Sequence, residues 1–379
     1  MSVIRIIFVL FIFISICIGG NFYIAKRLYQ FFIQVFPHFN VKIYIGVYIF
    51  IASSLLAGLL PLPLAISKMF NFIGAYWLGF FMYFILLFFA VDLIVLLGRV
   101  TNVIHISMLN NIRLYSGLAV VILTVGILSY GIYNANQIKI TNYEIEFKNV
   151  SLNNMKVVMI SDLHLGDVHS ERNLESMVKK INDLNPDIVC FVGDIFNDNF
   201  YMINNPEKAI ALFKNINAVY GVYACLGNHD GGHTLNQMKN FLEESYIKLL
   251  NDDYIIIDER LALFGRLDAS PIGGFGDLKR KDISDIILSV SENMPVIVID
   301  HNPVHINEYG NEVDLILSGH THSGQMFPVR FITKAMFVID YGHHQKDTYN
   351  HVIVTSGVST WRPPMRIGTN NEIVSILIR

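Results

Sequence analysis

Up to about residue 135 the chain is a succession of long apolar runs, each near the roughly 20 residues needed to cross the hydrocarbon core of a bilayer. They cover Ile6 to Ala25, Ile43 to Ile66, Phe70 to about Leu97 and Leu114 to Ile132. A core helix of a soluble protein shows an apolar stripe and a polar back. These runs are apolar all round, which predicts a multi-pass region of about four transmembrane helices within residues 1–135. Only 16% of the 379 residues are charged, against about a quarter in soluble chains. Arg5 before the first run allows a cleaved signal peptide, but the apolar stretch is too long and Gly19-Gly20-Asn21-Phe22 offers no clear cleavage site, so an anchor fits better. Asp92, the one acid in this region, reads as a flank near Arg99 rather than an intramembrane functional group.

Lys and Arg near the helix ends set the topology. The loops after the first and third runs carry Lys26, Arg27, Lys42, Arg99 and Arg113, while the other side has Arg5, Lys68 and Lys139. Five against three places the two richer loops in the cytoplasm, and so both termini, with the domain after Ile138, outside it. The net charge of −3 gives no basic footprint, so no nucleic-acid partner is expected. Cys17, Cys190 and Cys225 make neither a disulfide scaffold nor a zinc-knuckle spacing.

From Ile138 the pattern changes to short β-rich runs alternating with amphipathic stretches, which predicts an α/β domain over 138–379. Lys156 to Ile160, Asp187 to Val192, Val219 to Leu226, Val296 to Ile299, Asp314 to Leu317, Val352 to Thr355 and Ile373 to Ile378 read as buried strands. Glu171 to Asn182 reads as a helix. Eleven of the thirteen histidines follow residue 137. Where five of the apolar runs stop, the sequence delivers Asp162-Leu163-His164, Gly193-Asp194, Gly227-Asn228-His229-Asp230, Asp300-His301 and Gly319-His320-Thr321-His322. In an open α/β sheet the carboxyl ends of neighbouring strands converge on one crevice. Taken singly, an acid or histidine after a strand is ordinary turn chemistry. Five in order make a mixed oxygen and imidazole cage, which suits zinc, iron or manganese better than calcium. The glycines before Asp194, Asn228 and His320 are expected to permit sharp turns.

On these motifs, and on the tail Trp361-Arg362-Pro363-Pro364-Met365-Arg366-Ile367-Gly368 followed by Glu372-Ile373, the chain from about residue 150 to 379 resembles the calcineurin-like metallophosphoesterases, specifically their membrane-attached bacterial branch. The resemblance implies a double β-sandwich flanked by helices with a centre of two divalent ions (Mn, Zn or Fe). It implies that Asp162, His164 and His322 hold the first ion, that Asp194 bridges, and that Asn228, His301 and His320 complete the second. His229 corresponds to the histidine that contacts the phosphoryl group and protonates the leaving oxygen. Asp230 either orients that imidazole or caps the following turn. Three positions depart from the family pattern: Asn197 stands where the family often has an acid, with Asp198 next to it; Asp300 stands where a small or polar residue is usual; Ser359 replaces a glycine.

Of the remaining histidines, His305 reads as a helix-face residue, His343 and His344 as loop residues before the strand that begins near His351, and His169 and His233 as candidates for the mouth of the site. The insert Asn197 to Pro206 is expected to border it. The expected function is a membrane-anchored, metal-dependent phosphoesterase, of phosphodiesterase or pyrophosphatase type. Its substrate would be a phosphorylated small molecule or lipid near the bilayer: a lipid-linked nucleotide, a phospholipid head group or an envelope polymer. The alternative is a transport or sensory membrane protein with a non-catalytic domain. The complete ligand set and the lack of paired intramembrane charges in the sequence disfavour it.

Overall fold

A computed structural model describes residues 3–58, 60–147, 154–166, 168, 170–292, 294–346 and 350–379. The chain divides into two compact units, Met1–Tyr130 and Gly131–Arg379.

The N-terminal region is helical: α1 (Val3–Val35), α2 (Val41–Ala57), α3 (Leu64–Val100) and α4 (Leu109–Ala135). The second apolar run was expected to be one helix from Ile43 to Ile66. It is instead divided, because Pro61 and Pro63 lack the N–H that a helix interior needs. Helix α2 stops at Ala57 and α3 starts directly after Pro63. Among the described residues two helical stretches are long and apolar enough to cross a membrane, Leu64–Val100 and Ile106–Ala135, while Val41–Ala57 is apolar but shorter. Asp92 is not a plain flank beside Arg99, and the expected lack of paired charges in the apolar region does not hold. Its carboxylate is paired with the Arg27 guanidinium and accepts a hydrogen bond from Tyr23 Oη at 2.7 Å. Asn21 extends this polar seam by accepting from Tyr48 Oη at 2.9 Å and from Trp77 Nε1 at 3.2 Å. An otherwise apolar bundle with such a seam has one preferred register, since slipping a helix would strip the charge pair of its partner.

The second unit holds two six-stranded sheets. The first contains β1 (Ile138–Ile145), β2 (Met155–Ile160), β3 (Ile188–Val192), β4 (Val222–Cys225), β5 (Ile247–Leu249) and β12 (Asn371–Ile378), in the order β1-β12-β2-β3-β4-β5. The second contains β6 (Asp253–Ile257), β7 (Leu261–Gly265), β8 (Val296–Ile299), β9 (Leu315–Ser318), β10 (Gly342–Gln345) and β11 (His351–Val354), in the order β10-β11-β9-β8-β7-β6. The single open sheet suggested by alternation alone is therefore two, as the family resemblance implied. Strands β2 to β5 run parallel, and so do β7, β8, β9 and β11.

Burial on both faces explains why the central strands read as unbroken apolar runs rather than alternating ones. Val157, Met159, Val192, Leu263, Ile297 and Leu317 belong to one buried cluster between the sheets. On the outer face of the first sheet, Val158 and Phe191 pack with Met177, Ile181, Phe213 and Phe241. Those four side chains come from α5 (Leu174–Asp183), α6 (Pro206–Phe213) and α7 (Leu235–Glu244). On the second sheet, Val296 and Val298 pack with Ile287 of α8 (Ser284–Ser291). The layers are helix, sheet, sheet, helix, and the carboxyl ends of β2, β3, β4, β8 and β9 meet at one edge.

Candidate metal centre

Each side chain singled out at a strand end projects from the first few residues after its strand: Asp162 and His164 after β2, Asp194 after β3, Asn228 after β4, His301 after β8, His320 and His322 after β9. The turns lock to one another through their backbones. Asp162 N–H donates to Gly193 O at 3.1 Å, His164 N–H to Asp194 O at 3.0 Å, and Gly319 N–H to His301 O at 2.9 Å. Asp162, His164, Asp194, His320 and His322 all have φ between 50° and 70°. That left-handed region is costly for most side chains and least so for Asp, Asn and His, and such strain collects where surrounding structure enforces a functional geometry. Here it turns the side chains back over the sheet edge.

Two groups of ligand atoms result. Asp162, His164 and His322 form one, and Asp194, His301 and His320 the other, with the atoms in each group within 4.8 Å of one another. His164 Nε2 faces His322 Nε2 at 3.1 Å, and His322 Nε2 lies 3.3 Å from Asp162 Oδ1. Asp194 Oδ2 lies 3.1 Å from His301 Nε2 and 3.8 Å from His164 Nε2, so it stands between the groups. Asn228 Oδ1 is 2.8 Å from His320 Nδ1, which brings the amide to the second group. His301 donates from Nδ1 to Val192 O at 2.8 Å, which turns Nε2 towards Asp194. That buried atom has no hydrogen-bond partner of acceptable geometry. A buried, unsatisfied imidazole nitrogen beside a carboxylate oxygen fits a cation as their common partner.

The electrostatics separate the rings: at His301 burial is outweighed by Asp194 and Asp162, which hold its pKa well above the usual imidazole value, while the other three rings go the opposite way. Burial pushes the pKa of His164 and of His322 well below the usual imidazole value, and burial with His301 takes His320 down to about 4. These rings are therefore neutral and hold lone pairs for a metal. Burial works to raise the Asp194 carboxyl, but the adjacent His301 outweighs it and keeps Asp194 ionised. The set of imidazole, carboxylate and amide donors is the kind that zinc, iron and manganese accept. The residues present fit a centre of two divalent ions.

The glycine expectation holds at Gly193, with φ of +71°, but Gly227 and Gly319 are not left-handed. They are required for space. A Cβ at Gly227 would run into Asp194 and come within 2.9 Å of His301 Cδ2, and one at Gly319 would run into Asp162 and Ser161.

His229 Nδ1 is 2.7 Å from Asp198 Oδ1. Burial opposes a charge on this ring, yet the bond to Asp198 and the nearby Asp194 hold its pKa above the usual value. The proposed orienting role of Asp230 is corrected by the geometry. Its carboxylate is fully buried and accepts from Phe196 N–H and Gly227 N–H, both at 2.8 Å, so it braces the turn that carries Asn228. Asp198 lies in the insert 197–206, which therefore does border the site. It was passed over because it sits one position beyond the expected acid.

Arg366 is the second residue the sequence reading missed. Its fully buried guanidinium donates to His322 O at 2.9 Å, to Asn371 Oδ1 at 2.7 Å and to the carbonyls of Ser356 and Ser359, and its Nη2 lies 3.2 Å from His322 Nδ1. It fixes the segment that carries His322. The tail motif was its one visible signal. Asp300, unusual before His301, is explained by Arg280, which donates to both its oxygens at 3.1 and 2.7 Å.

The other histidines lie apart from the two groups. His305 is in a 3-10 turn, paired with Glu308 at 2.6 Å. His343 and His344 form strand β10 rather than a loop, and His343 Nε2 bonds His351 Nδ1 at 2.9 Å. His233 is exposed, and His169 lies outside the described residues.

Residues 155–324 match the sequence profile of the family described as calcineurin-like phosphoesterase. A Campylobacter jejuni protein named as an uncharacterized metallophosphoesterase is 28% identical over 274 residues, covering 71% of each chain. An Aquifex aeolicus protein of the same description is 32% identical over 227 residues, covering 59% of this chain and 85% of that one. A Danio rerio protein named as a transmembrane protein with metallophosphoesterase domain is 28% identical over 277 residues, covering 68% of this chain and 61% of that one.

The close approach at Gly227 yields a test that needs no substrate. Gly227→Ala should displace Asp194 and His301, and titration calorimetry with Mn²⁺ should then show at least one of two binding events weakened by about tenfold or more, in the range seen when support around a metal ligand is removed. Unchanged affinity for both would show that the backbone relaxes around the methyl group.

Proposed function

Because the chain belongs to the calcineurin-like metallophosphoesterases, we propose that it is a membrane-anchored hydrolase that cleaves a phosphodiester or diphosphate in an amphiphilic, lipid-linked substrate. The observation that carries this reading is the convergence of two His/Asp groups on Asp194.

In this reading Asp162, His164 and His322 would hold one ion, Asn228, His301 and His320 would hold the other, and Asp194 would serve both. Two divalent ions held there would supply polarisation of the phosphoryl oxygens and an acidified water for in-line attack. The protein residues then orient and protonate. His229, whose protonated form Asp198 and Asp194 favour, would present Nε2–H as a donor to a phosphoryl oxygen and as the acid that protonates the departing oxygen. Trp361 lies tilted beside His229 at 5.4 Å between ring centroids, and Phe337 meets His320 edge-on at 5.9 Å. These rings give a polar centre an apolar rim, which suits a phosphate attached to a hydrophobic group.

Two of the helical stretches have the length and apolarity of spans, and we extend this to four membrane-spanning segments. By the basic residues that flank the apolar runs of the sequence, five on one side against three on the other, the hydrolase unit lies outside the cytoplasm, where envelope lipids would reach it; Lys26 and Arg27 enter that count as flanks of the first run, although both lie within α1.

Asp194→Ala should abolish turnover of an aryl phosphodiester by the metal-loaded protein and lower the metal content measured by elemental analysis. Full activity at one ion per chain or none would overturn the two-ion reading. His229→Ala should retain both ions and lose about 10²- to 10⁴-fold in rate, with Asp198→Asn losing a smaller part. The loss should shrink for good leaving groups, which need little protonation, and an equal loss across leaving groups would reduce His229 to a binding role. For the side of the membrane, protease added to intact cells should digest the hydrolase unit, and complete protection until lysis would place it in the cytoplasm.

A further inference from the structure

Beyond the metal ligands, the chain leaves the second sheet through an exposed helical strap, residues 326–339, whose central helix α9 spans Arg330–Met336. Both ends of the strap are tied down. Met326 and Ile339 are buried, Phe327 N–H donates to Ile367 O at 2.7 Å, and Thr321 Oγ1 donates to Asp340 O at 2.6 Å. Between these anchors not one residue of α9 is buried. The exposed residues are not the polar ones expected of a surface helix: Phe331 is 60% exposed, Ile332 58%, Met336 71% and Val338 78%. A soluble surface rarely gathers large apolar side chains in this way unless something covers them.

We infer that this strap is a membrane-contact element, seated in the interface of an anionic bilayer. The inference rests on the membrane-anchoring part of the proposed function and is independent of the substrate. The charge pattern selects this occupant. Residues 326–339 include Arg330 and Lys334 and no acid, and Asp340, which closes the strap, is engaged by Thr333 Oγ1 at 3.2 Å, so the charge carried by α9 itself is positive. A second copy would bring like charges together. Anionic head groups above acyl chains complement both features, and short apolar faces with basic residues lie in that boundary, buried by about 5–10 Å. Phe337, within the same strap, turns back to His320.

The test uses the full chain in phosphatidylcholine–phosphatidylglycerol vesicles. An environment-sensitive fluorophore is placed at Met336→Cys in a Cys17→Ala background, since Cys190 and Cys225 are fully buried. Lys248→Cys, exposed on β5, is the control. Spin-labelled lipid should quench the Met336 probe by about twofold or more, as expected for a side chain at acyl-chain depth, and leave the control unchanged. Arg330→Glu with Lys334→Glu should reduce that quenching. Vesicle flotation separates the two readings. Protein that floats while its Met336 probe matches the control would overturn the strap inference alone. Energy transfer between probes on neighbouring chains, with no lipid quenching, would also overturn it, in favour of self-association. Protein that does not float would overturn membrane anchoring and the strap together.

Discussion

The geometry of the centre depends on how closely two separate sheets approach at their carboxyl ends. The tie between them is short: the imidazole of His301, from the second sheet, donates to the carbonyl of Val192 at the end of β3 in the first. That bond sets the tautomer of His301 and aims its remaining nitrogen at Asp194. The approach is possible because Gly193, Gly227 and Gly319 add no side-chain volume. At Gly193 a Cβ would come within 2.6 Å of the His301 ring. The apolar core between the sheets supplies cohesion, while these three backbone positions let the strand ends close to ligand distance.

Much of this was legible in the sequence, for identifiable reasons. Strands β2, β3, β8 and β9 are buried on both faces, so each appears as an apolar run, and the polar residue at its end is conspicuous. The side chains that gather into the two groups are those the runs delivered. Other strands gave weaker signals: β5 is three residues long, and β6 alternates irregularly between exposed and buried positions. The division of the second apolar run hinged on two prolines that leave overall hydropathy almost unchanged. Contacts between distant residues were beyond local pattern altogether. The partner of Asp92 lies 65 positions away and the partner of His229 lies 31 positions away, and no spacing rule points to either. The glycines were noticed for the right positions but, at two of them, for the wrong reason, because tight space across a fold leaves no trace in the local sequence.

The tail after the last ligand is as much a part of the centre as the ligands are. Arg366 gathers the carbonyls of His322, Ser356 and Ser359 around one buried guanidinium, whose pKa burial lowers to about 10. A buried cation of this kind is tolerable only when its donors are spoken for, and those acceptors come from separate turns. Arg366 thus converts several loops into one rigid support for His322. Glu372, a few residues on, does the same for a neighbouring set, accepting from Thr355 Oγ1, Ser356 N–H and Tyr341 Oη.

Strand β12, residues 371–378, is inserted between β1 and β2 rather than added at an edge. This imposes an order on biosynthesis. As the polypeptide leaves the ribosome, the apolar segments of the N-terminal region emerge first, and β1 and β2 follow with a gap between them. That gap cannot be filled until residue 378 has been released. Until then β2 presents an unpaired, apolar edge, which is an invitation to aggregation, and Arg366 is not yet available to support His322. The first sheet and the support of its metal site are therefore completed only once residues 371–378 have emerged.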